Sequence, residues 1–199
     1  MKDKTAIIIL AAGESSRMGK PKQLLLWKNK TLIENIIQQA LLVQKSAVFV
    51  VLGANYELIN ERIKHYPVTT IEHKNWKNGM GSSIAYGVNE IKKNQDFNSV
   101  LITLADQPFL TNNTFNILLQ KFKDSKRKII VSKFKDSFGV PAVFHNSCFD
   151  VLLNLKGDVG AKKLLNQNKT LVEVCEIQEI FKDIDTLEDY KECLNLLSY

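Results

Sequence analysis

The chain has 199 residues, 45% of them hydrophobic and 24% charged, and its 27 Lys and Arg against 21 Asp and Glu give a formal net charge of +6. That length and balance suit one soluble globular domain over residues 1–199, with enough chain to bury a core. They exclude a membrane-spanning protein, because the apolar runs fall far short of a bilayer's width.

Cys148, Cys175 and Cys193 are too scattered for a disulfide frame or a zinc site and read as reduced, partly buried thiols. His65, His73 and His145 show no metal-ligand spacing and read as structural or surface residues. Met1 to Thr5 lead straight into the first predicted strand, which leaves no room for a signal peptide, so a cytoplasmic location is expected. The basic clusters Lys121-Phe122-Lys123 and Lys126-Arg127-Lys128 lack exposed interleaved aromatics and read as solvated helix ends rather than a nucleic-acid surface.

Ala6 to Leu10 is a short, continuous, β-branched-rich run, the pattern of a strand buried on both faces. A loop of small and basic residues follows to Lys22, and Gln23 to Trp27 reads as extended. Thr31 and Glu34 have capping-box spacing, and Leu32, Ile36 and Ala40 form one stripe of the helix they open. Ala47 to Leu52 is a second strand, Tyr56 to Lys64 an amphipathic helix and Val68 to Ile71 a third strand. Asn75 to Ser83 is a close-approach loop around Gly79 and Gly81, with Ser82 or Ser83 placed to cap a helix over Ile84 to Lys93. Val100 to Leu104 is a fourth strand, ending in Ala105-Asp106-Gln107-Pro108. Beyond it the pattern predicts a helix over Thr111 to Lys123 and a strand over Lys128 to Phe134. An extended run over Gly139 to Phe144 carries Pro141, which predicts an edge or a bulge there. A loop from Lys156 to Ala161 enters a short helix through Leu165, and a late strand spans Leu171 to Ile177. Thr186 caps a final helix with Asp189 as its box partner. Strands alternating with helices over short connections specify an α/β domain with a parallel sheet and right-handed crossovers.

The chemistry concentrates at the carboxyl ends of two strands. Gly13 and Gly19 let a ligand approach the main chain, and Arg17, Lys20 and Lys22 add cations, a combination suited to a bound polyphosphate. The loop is not GxGxxG, and it departs from GxxxxGK(S/T) by one extra residue and by Pro21 after Lys20. Asp106 ends a central strand, where open α/β sheets bind ligands, and a short carboxylate there suits Mg2+ held jointly with phosphates. Asp183 and Asp185 point the same way if extended, and fit either a metal role or two acids ahead of a capped helix.

Leu10-Ala11-Ala12-Gly13-Glu14-Ser15-Ser16-Arg17-Met18-Gly19-Lys20-Pro21-Lys22 resembles the signature of the nucleotidyltransferases that activate molybdopterin, most of all their CTP-using cytidylyltransferase branch. The likeness extends over nearly the whole chain. It includes Gly79-Met80-Gly81-Ser82-Ser83, Leu104 to Pro108, Gly139-Val140-Pro141, Gly157-Asp158-Val159-Gly160-Ala161 and Asp183 to Asp189. Ala11-Ala12 resembles the CTP branch, since the GTP branch typically reads Ala-Gly-Gly there, and Leu187 stands where the family usually has Pro.

This resemblance implies a three-layer Rossmann-like nucleotidyltransferase fold, mostly parallel with an antiparallel strand. It implies a nucleotide site of Leu10 to Arg17, Lys22, Gly79 to Ser83 and Asp106, with the amides of Ala12 to Ser16 around the phosphates. Arg17, Lys22 and Asp106 would be catalytic, with Asp106 and Asp185 holding Mg2+ or Mn2+. Gln107, Pro108, Gly139, Pro141, Gly157 and Asp158 would face the acceptor. The implied substrates are CTP and molybdopterin or its molybdenum form, and the implied recipient is a molybdoenzyme or its maturation chaperone. Rival readings are a guanylyltransferase, a sugar- or polyol-phosphate nucleotidyltransferase of the same fold, and a silent nucleotide-binding protein.

Overall fold

The computed structural model describes residues 4–94, 97–134, 137–157 and 169–197. Its centre is β1 (Thr5–Ala11), whose Ile7, Ile8 and Ile9 are wholly buried. Burying each such side chain contributes about 1.5–3 kcal/mol, so a run with no polar face is stable only between two layers. The other main strands are β4 (Ser46–Leu52), β5 (Thr69–Glu72), β6 (Ser99–Leu104), β7 (Ile129–Phe134), β8 (Ser137–His145) and β9 (Val172–Glu176). They form one seven-stranded sheet in the order β5-β4-β1-β6-β8-β7-β9. β8 runs antiparallel to both its neighbours, and the other pairings are parallel.

One face is covered by α1 (Leu32–Leu41), α2 (Tyr56–Ile63) and α4 (Asn112–Asp124), whose apolar residues share one core cluster with Ile7, Ile9 and Ala11. The other face, with Ala6, Ile8 and Leu10, meets α3 (Met80–Asn94) and α5 (Phe149–Leu153). A third cluster joins Trp27 and Leu25 to Ile184 and Cys193 of the C-terminal segment and α6 (Leu187–Leu196). It sits beside a small hairpin, β2 (Leu26–Trp27) with β3 (Lys30–Thr31). The Trp27 ring meets Phe109 edge-on at 5.2 Å.

The chain runs outward from β1 through β4 to β5, then returns to place β6 on the other side of β1. The reversal opens a crevice between the carboxyl ends of β1 and β6, the usual ligand position in such sheets.

Several local expectations are met. Thr31 and Glu34 form the capping box of α1, with Thr31 N and Oγ1 each donating to Glu34 Oε2 over 2.8 Å. Thr186 and Asp189 do the same for α6. The three cysteines are free and buried. Lys121 pairs with Glu173 at 2.6 Å, and Lys123, Lys126, Arg127 and Lys128 are exposed. No helix among the described residues is long and apolar enough to cross a membrane.

Two expectations need correction and a third is met by one of its alternatives. Gln23 to Trp27 is not one extended run: Lys22–Leu24 is a 3-10 turn, closed by Leu25 N donating to Lys22 O, and it carries Gln23 inward. Helix α3 starts at Met80, not Ile84, because Gly79 at φ 93° redirects the chain and Ser82 then donates to Gly79 O within the first turn. The bulge expected at Pro141 is present: Pro141 lies on an interior strand, and the missing donor is absorbed by a register shift at Val131/Ser132. There Ser132 Oγ donates to Pro141 O over 2.6 Å. The loop and short helix expected over residues 158–165 lie outside the described residues.

Candidate functional site

The loop after β1 is held by a side chain that follows it. Gln23 is 2% exposed, and its Nε2 donates to Ala11 O at 3.0 Å and Gly13 O at 2.9 Å. Ser15 Oγ donates to Gln23 Oε1 and accepts from Lys22 N at 3.1 Å. Ser15 adopts the left-handed region at φ 60°, a 3-10 turn follows over Ser16–Met18, and Met18 is buried as the loop's apolar anchor. The carbonyls are thus turned onto the protein. The amides of Gly13, Glu14 and Ser15 donate no hydrogen bond among the described residues. A loop of this kind presents N–H groups to an anion.

Across the crevice, Ala105 N donates to Leu10 O at 3.1 Å, which sets Asp106 opposite the loop. Ile184 N donates to the Asp106 carbonyl at 3.0 Å, which brings Asp185 alongside from near the other end of the chain. Lys22 Nζ lies between the two carboxylates, 2.5 Å from Asp106 Oδ2 and 2.8 Å from Asp185 Oδ1. Arg17 reaches Asp185 Oδ2 at 3.4 Å from the exposed side.

The charges answer this geometry. Burial alone would pull the Lys22 ammonium down, but Asp106 above all, and Asp185, outweigh it and hold Lys22 above its ordinary value. The Lys22 hydrogen bond, aided by its charge and that of Arg17, holds Asp185 below the usual carboxylate range. Asp183 goes the other way: burial pushes it up, and the Asp106 charge adds to the effect. Its Oδ1 accepts from Gln107 Nε2 at 2.9 Å. The two late acids are therefore distinct, and Asp185 is the one that meets Lys22 and Arg17.

A cleft of about 430 Å3 runs between these groups. Of the residues singled out from sequence, Leu10, Ala11, Ala12, Gly13, Arg17, Lys22, Gly79, Met80, Ser83, Asp106 and Asp185 line it. Glu14, Ser15, Ser16, Gly81, Ser82, Gln107 and Pro108 do not, although all adjoin residues that do or belong to the same loop. Gln107 is bound to Asp183, and the Pro108 carbonyl accepts from Asn35 Nδ2 at 3.0 Å. Gly139 and Pro141 belong to the bulged strand β8 and are not among the lining residues. Gly157 is not among the lining residues; its carbonyl accepts from Gly81 N, in the first turn of α3, at 2.8 Å. Asp158 lies outside the described residues.

Five lining residues, Gln23, Trp76, Lys77, Leu104 and Ala105, were not in the site predicted from the sequence. Gln23 carries no charge and no motif, and only its inward turn reveals it. Trp76 and Lys77 also line the cleft. Trp76 is seated by Gly53, where an added Cβ would stand 2.5 Å from Trp76 Cβ and 2.8 Å from Ala12 O. The glycine that ends β4 was the available signal. The start of α3 is braced by His73, buried and stacked on Tyr86 at 4.7 Å, with Nε2 3.0 Å from Ser82 Oγ. Ser82 gives its proton to Gly79 O, so His73 Nε2 is the donor in that contact.

Comparison with known proteins identifies the family. The chain is 30% identical over 190 residues to nicotine blue oxidoreductase of Paenarthrobacter nicotinovorans, covering 91% of this chain and 92% of that protein. It is 30% identical over 195 residues to the purine catabolism protein PucB of Bacillus subtilis, covering 92% of each. With a probable molybdenum cofactor guanylyltransferase of Bacillus mycoides the identity is 29% over 206 residues, covering 98% of each. Among solved structures, Rv0371c of Mycobacterium tuberculosis superposes with a TM-score of 0.88 at 22% identity, covering 98% of this chain and 99% of that one. A manganese complex of the same protein gives a TM-score of 0.83 at 21% identity, covering 96% and 98%. Residues 7–172 match the model of the MobA-like NTP transferase domain, and the chain belongs to that nucleotidyltransferase family.

Proposed function

We propose that this protein transfers CMP from CTP to the terminal phosphate of molybdopterin or its molybdenum form, giving molybdopterin cytosine dinucleotide and pyrophosphate. The observation that carries the reading is Lys22 between Asp106 and Asp185, facing a loop of free amides across the crevice of the sheet. Ala11 and Ala12 line that crevice and resemble the CTP branch of the family.

The donor set fits a divalent ion. Asp106 Oδ1 is buried and accepts no hydrogen bond among the described residues, and Asp185 lies beside it across Lys22. Two hard carboxylates suit Mg2+ or Mn2+. When bound there, such an ion supplies Lewis-acid neutralisation of the triphosphate. The chain's own residues do the rest by position and charge. The amides of Gly13 to Ser15 cradle phosphate oxygens, Arg17 reaches in from the exposed side, and Lys22 neutralises charge near the α-phosphate. Met80 and Ser83 at the start of α3, with Trp76, bound the space for the nucleoside. A phosphate acceptor ionises near pH 6 and arrives largely deprotonated, so the chain needs no general base. In-line placement of the acceptor is the remaining requirement.

A second reading, with GTP in place of CTP, is favoured by the relative named a guanylyltransferase. The oxidoreductase named among the relatives is a further member of the family. The Lys22, Asp106 and Asp185 constellation here suits phosphoryl chemistry. The deciding experiment is pyrophosphate release with Mg2+ and molybdopterin or its molybdenum form, comparing CTP, GTP and ATP. Preference for CTP is expected. Preference for GTP moves the protein to the sister branch, and release with none of the three overturns the reading.

A further inference from the structure

Lys22 and a divalent ion need the same oxygens. The ammonium sits 2.5 Å from Asp106 Oδ2 and 2.8 Å from Asp185 Oδ1, with its side chain only 17% exposed. Arg17, by contrast, touches Asp185 with a side chain 68% exposed. The oxygen left over, Asp106 Oδ1, is buried without a partner among the described residues. Two carboxylates this close repel one another unless a cation lies between them, and two cations cannot share so small a space.

We infer that Lys22 is a built-in stand-in cation: in the free protein it fills the gap between Asp106 and Asp185, and it gives way to a divalent ion only when an incoming triphosphate offers it new oxygens. The inference rests on the nucleotidyl-transfer reading of the same site. Its physical content is an order of events. A metal ion arriving alone must evict an ammonium that has nowhere equally good to go. A metal ion arriving with a triphosphate brings the anion that receives Lys22, with Arg17 already at the rim. Lys22 therefore couples the metal site to nucleotide occupancy, so the free protein holds divalent ions weakly.

The test is Mn2+ binding to the full-length protein without nucleotide, read by the loss of free-ion signal in electron paramagnetic resonance. Lys22→Met is expected to bind Mn2+ at least about tenfold more tightly than wild type, because one positive charge at contact distance has gone. Lys22→Arg keeps a cation in place and stays near wild type. Lys123→Met, in the last turn of α4, makes the same change of net charge away from the cleft and also stays near wild type. Circular dichroism checks that each variant is folded. Equal or weaker binding by Lys22→Met overturns the inference. So does tighter binding that survives in the Lys22→Met/Asp106→Asn double variant, since the ion would then sit elsewhere. Pyrophosphate release tests the functional reading separately. Release with CTP but no effect of Lys22→Met on Mn2+ sinks the stand-in cation alone. Tightened Mn2+ binding with no release sinks the functional reading alone.

Discussion

Gln23 and Gly13 are ten residues apart, and the Gln23 carboxamide donates to the Gly13 carbonyl over 2.9 Å while the same nitrogen serves Ala11 O. One buried side chain thus ties the end of β1 to the loop that follows it. Removing a buried hydrogen-bond partner costs about 1–3 kcal/mol. Gln23→Ala is expected to lower stability by that amount and to raise the KM for the nucleotide about tenfold, because the loop amides lose their fixed direction. Urea unfolding together with steady-state kinetics checks both, and an unchanged KM would refute the positioning role.

Gly53→Ala probes the seat of Trp76. The new Cβ meets Trp76 Cβ at 2.5 Å and the Ala12 carbonyl at 2.8 Å, and neither can yield without moving the cleft wall. Overpacking of this kind costs about 1–3 kcal/mol. Weaker nucleotide binding, measured by calorimetry, should accompany the loss of stability. A variant as stable as wild type, with unaltered affinity, would show that Trp76 has another place to go.

Asp106→Asn separates an enzyme from a silent binding protein. The substitution keeps the shape of the side chain and removes its charge, so Lys22 loses one of its two carboxylates. Removing a preorganised charge from such a site lowers turnover by about 10²–10³-fold. The thermal transition should remain cooperative while pyrophosphate release falls to that extent.

Glu34 should make the fold acid-sensitive. Its carboxylate is buried, and burial alone would raise its pKa. The Thr31 amide and hydroxyl and the Arg62 guanidinium at 2.9 Å outweigh that and hold it below its ordinary value of 4.5. A depressed carboxylate contributes stability that is present above the unfolded pKa and is lost as pH falls below it. Glu34→Gln is therefore expected to be less stable than wild type at pH 7 by about 1–3 kcal/mol. The gap should narrow from pH 7 towards pH 3, because the contribution of a depressed carboxylate falls as the acid range is crossed. Denaturant titrations at the two pH values test this, and a gap undiminished in acid would contradict it.

The sheet was legible because β1 is apolar on both faces and because Thr31-Glu34 and Thr186-Asp189 mark two helix starts by chemistry confined to four residues. Asp106 was legible for a related reason, since a carboxylate just past the carboxyl end of a buried strand stands where open α/β sheets bind ligands. Gln23 was not, because Gln23 to Trp27 carries the apolar density of a strand, and only the turn over Lys22–Leu24 sends the amide inward. The start of α3 was misplaced because serine commonly caps helices, whereas here the turn at Gly79 begins the helix and Ser82 bonds back to it. Asp183 and Asp185 were indistinguishable in one dimension. Gln107 takes the first and Lys22 the second, and both partners come from distant parts of the chain.

The hydrogen bond from Ile184 N to the Asp106 carbonyl has a consequence for how the protein is made. A ribosome delivers Lys22 first, Asp106 much later and Asp185 later still. The central strands can pair before then, but Lys22 can have only one of its two carboxylates. Until Asp185 is made the charge cluster is half complete, and it is finished as the segment carrying Ile184 and α6 packs on Trp27 and its neighbours.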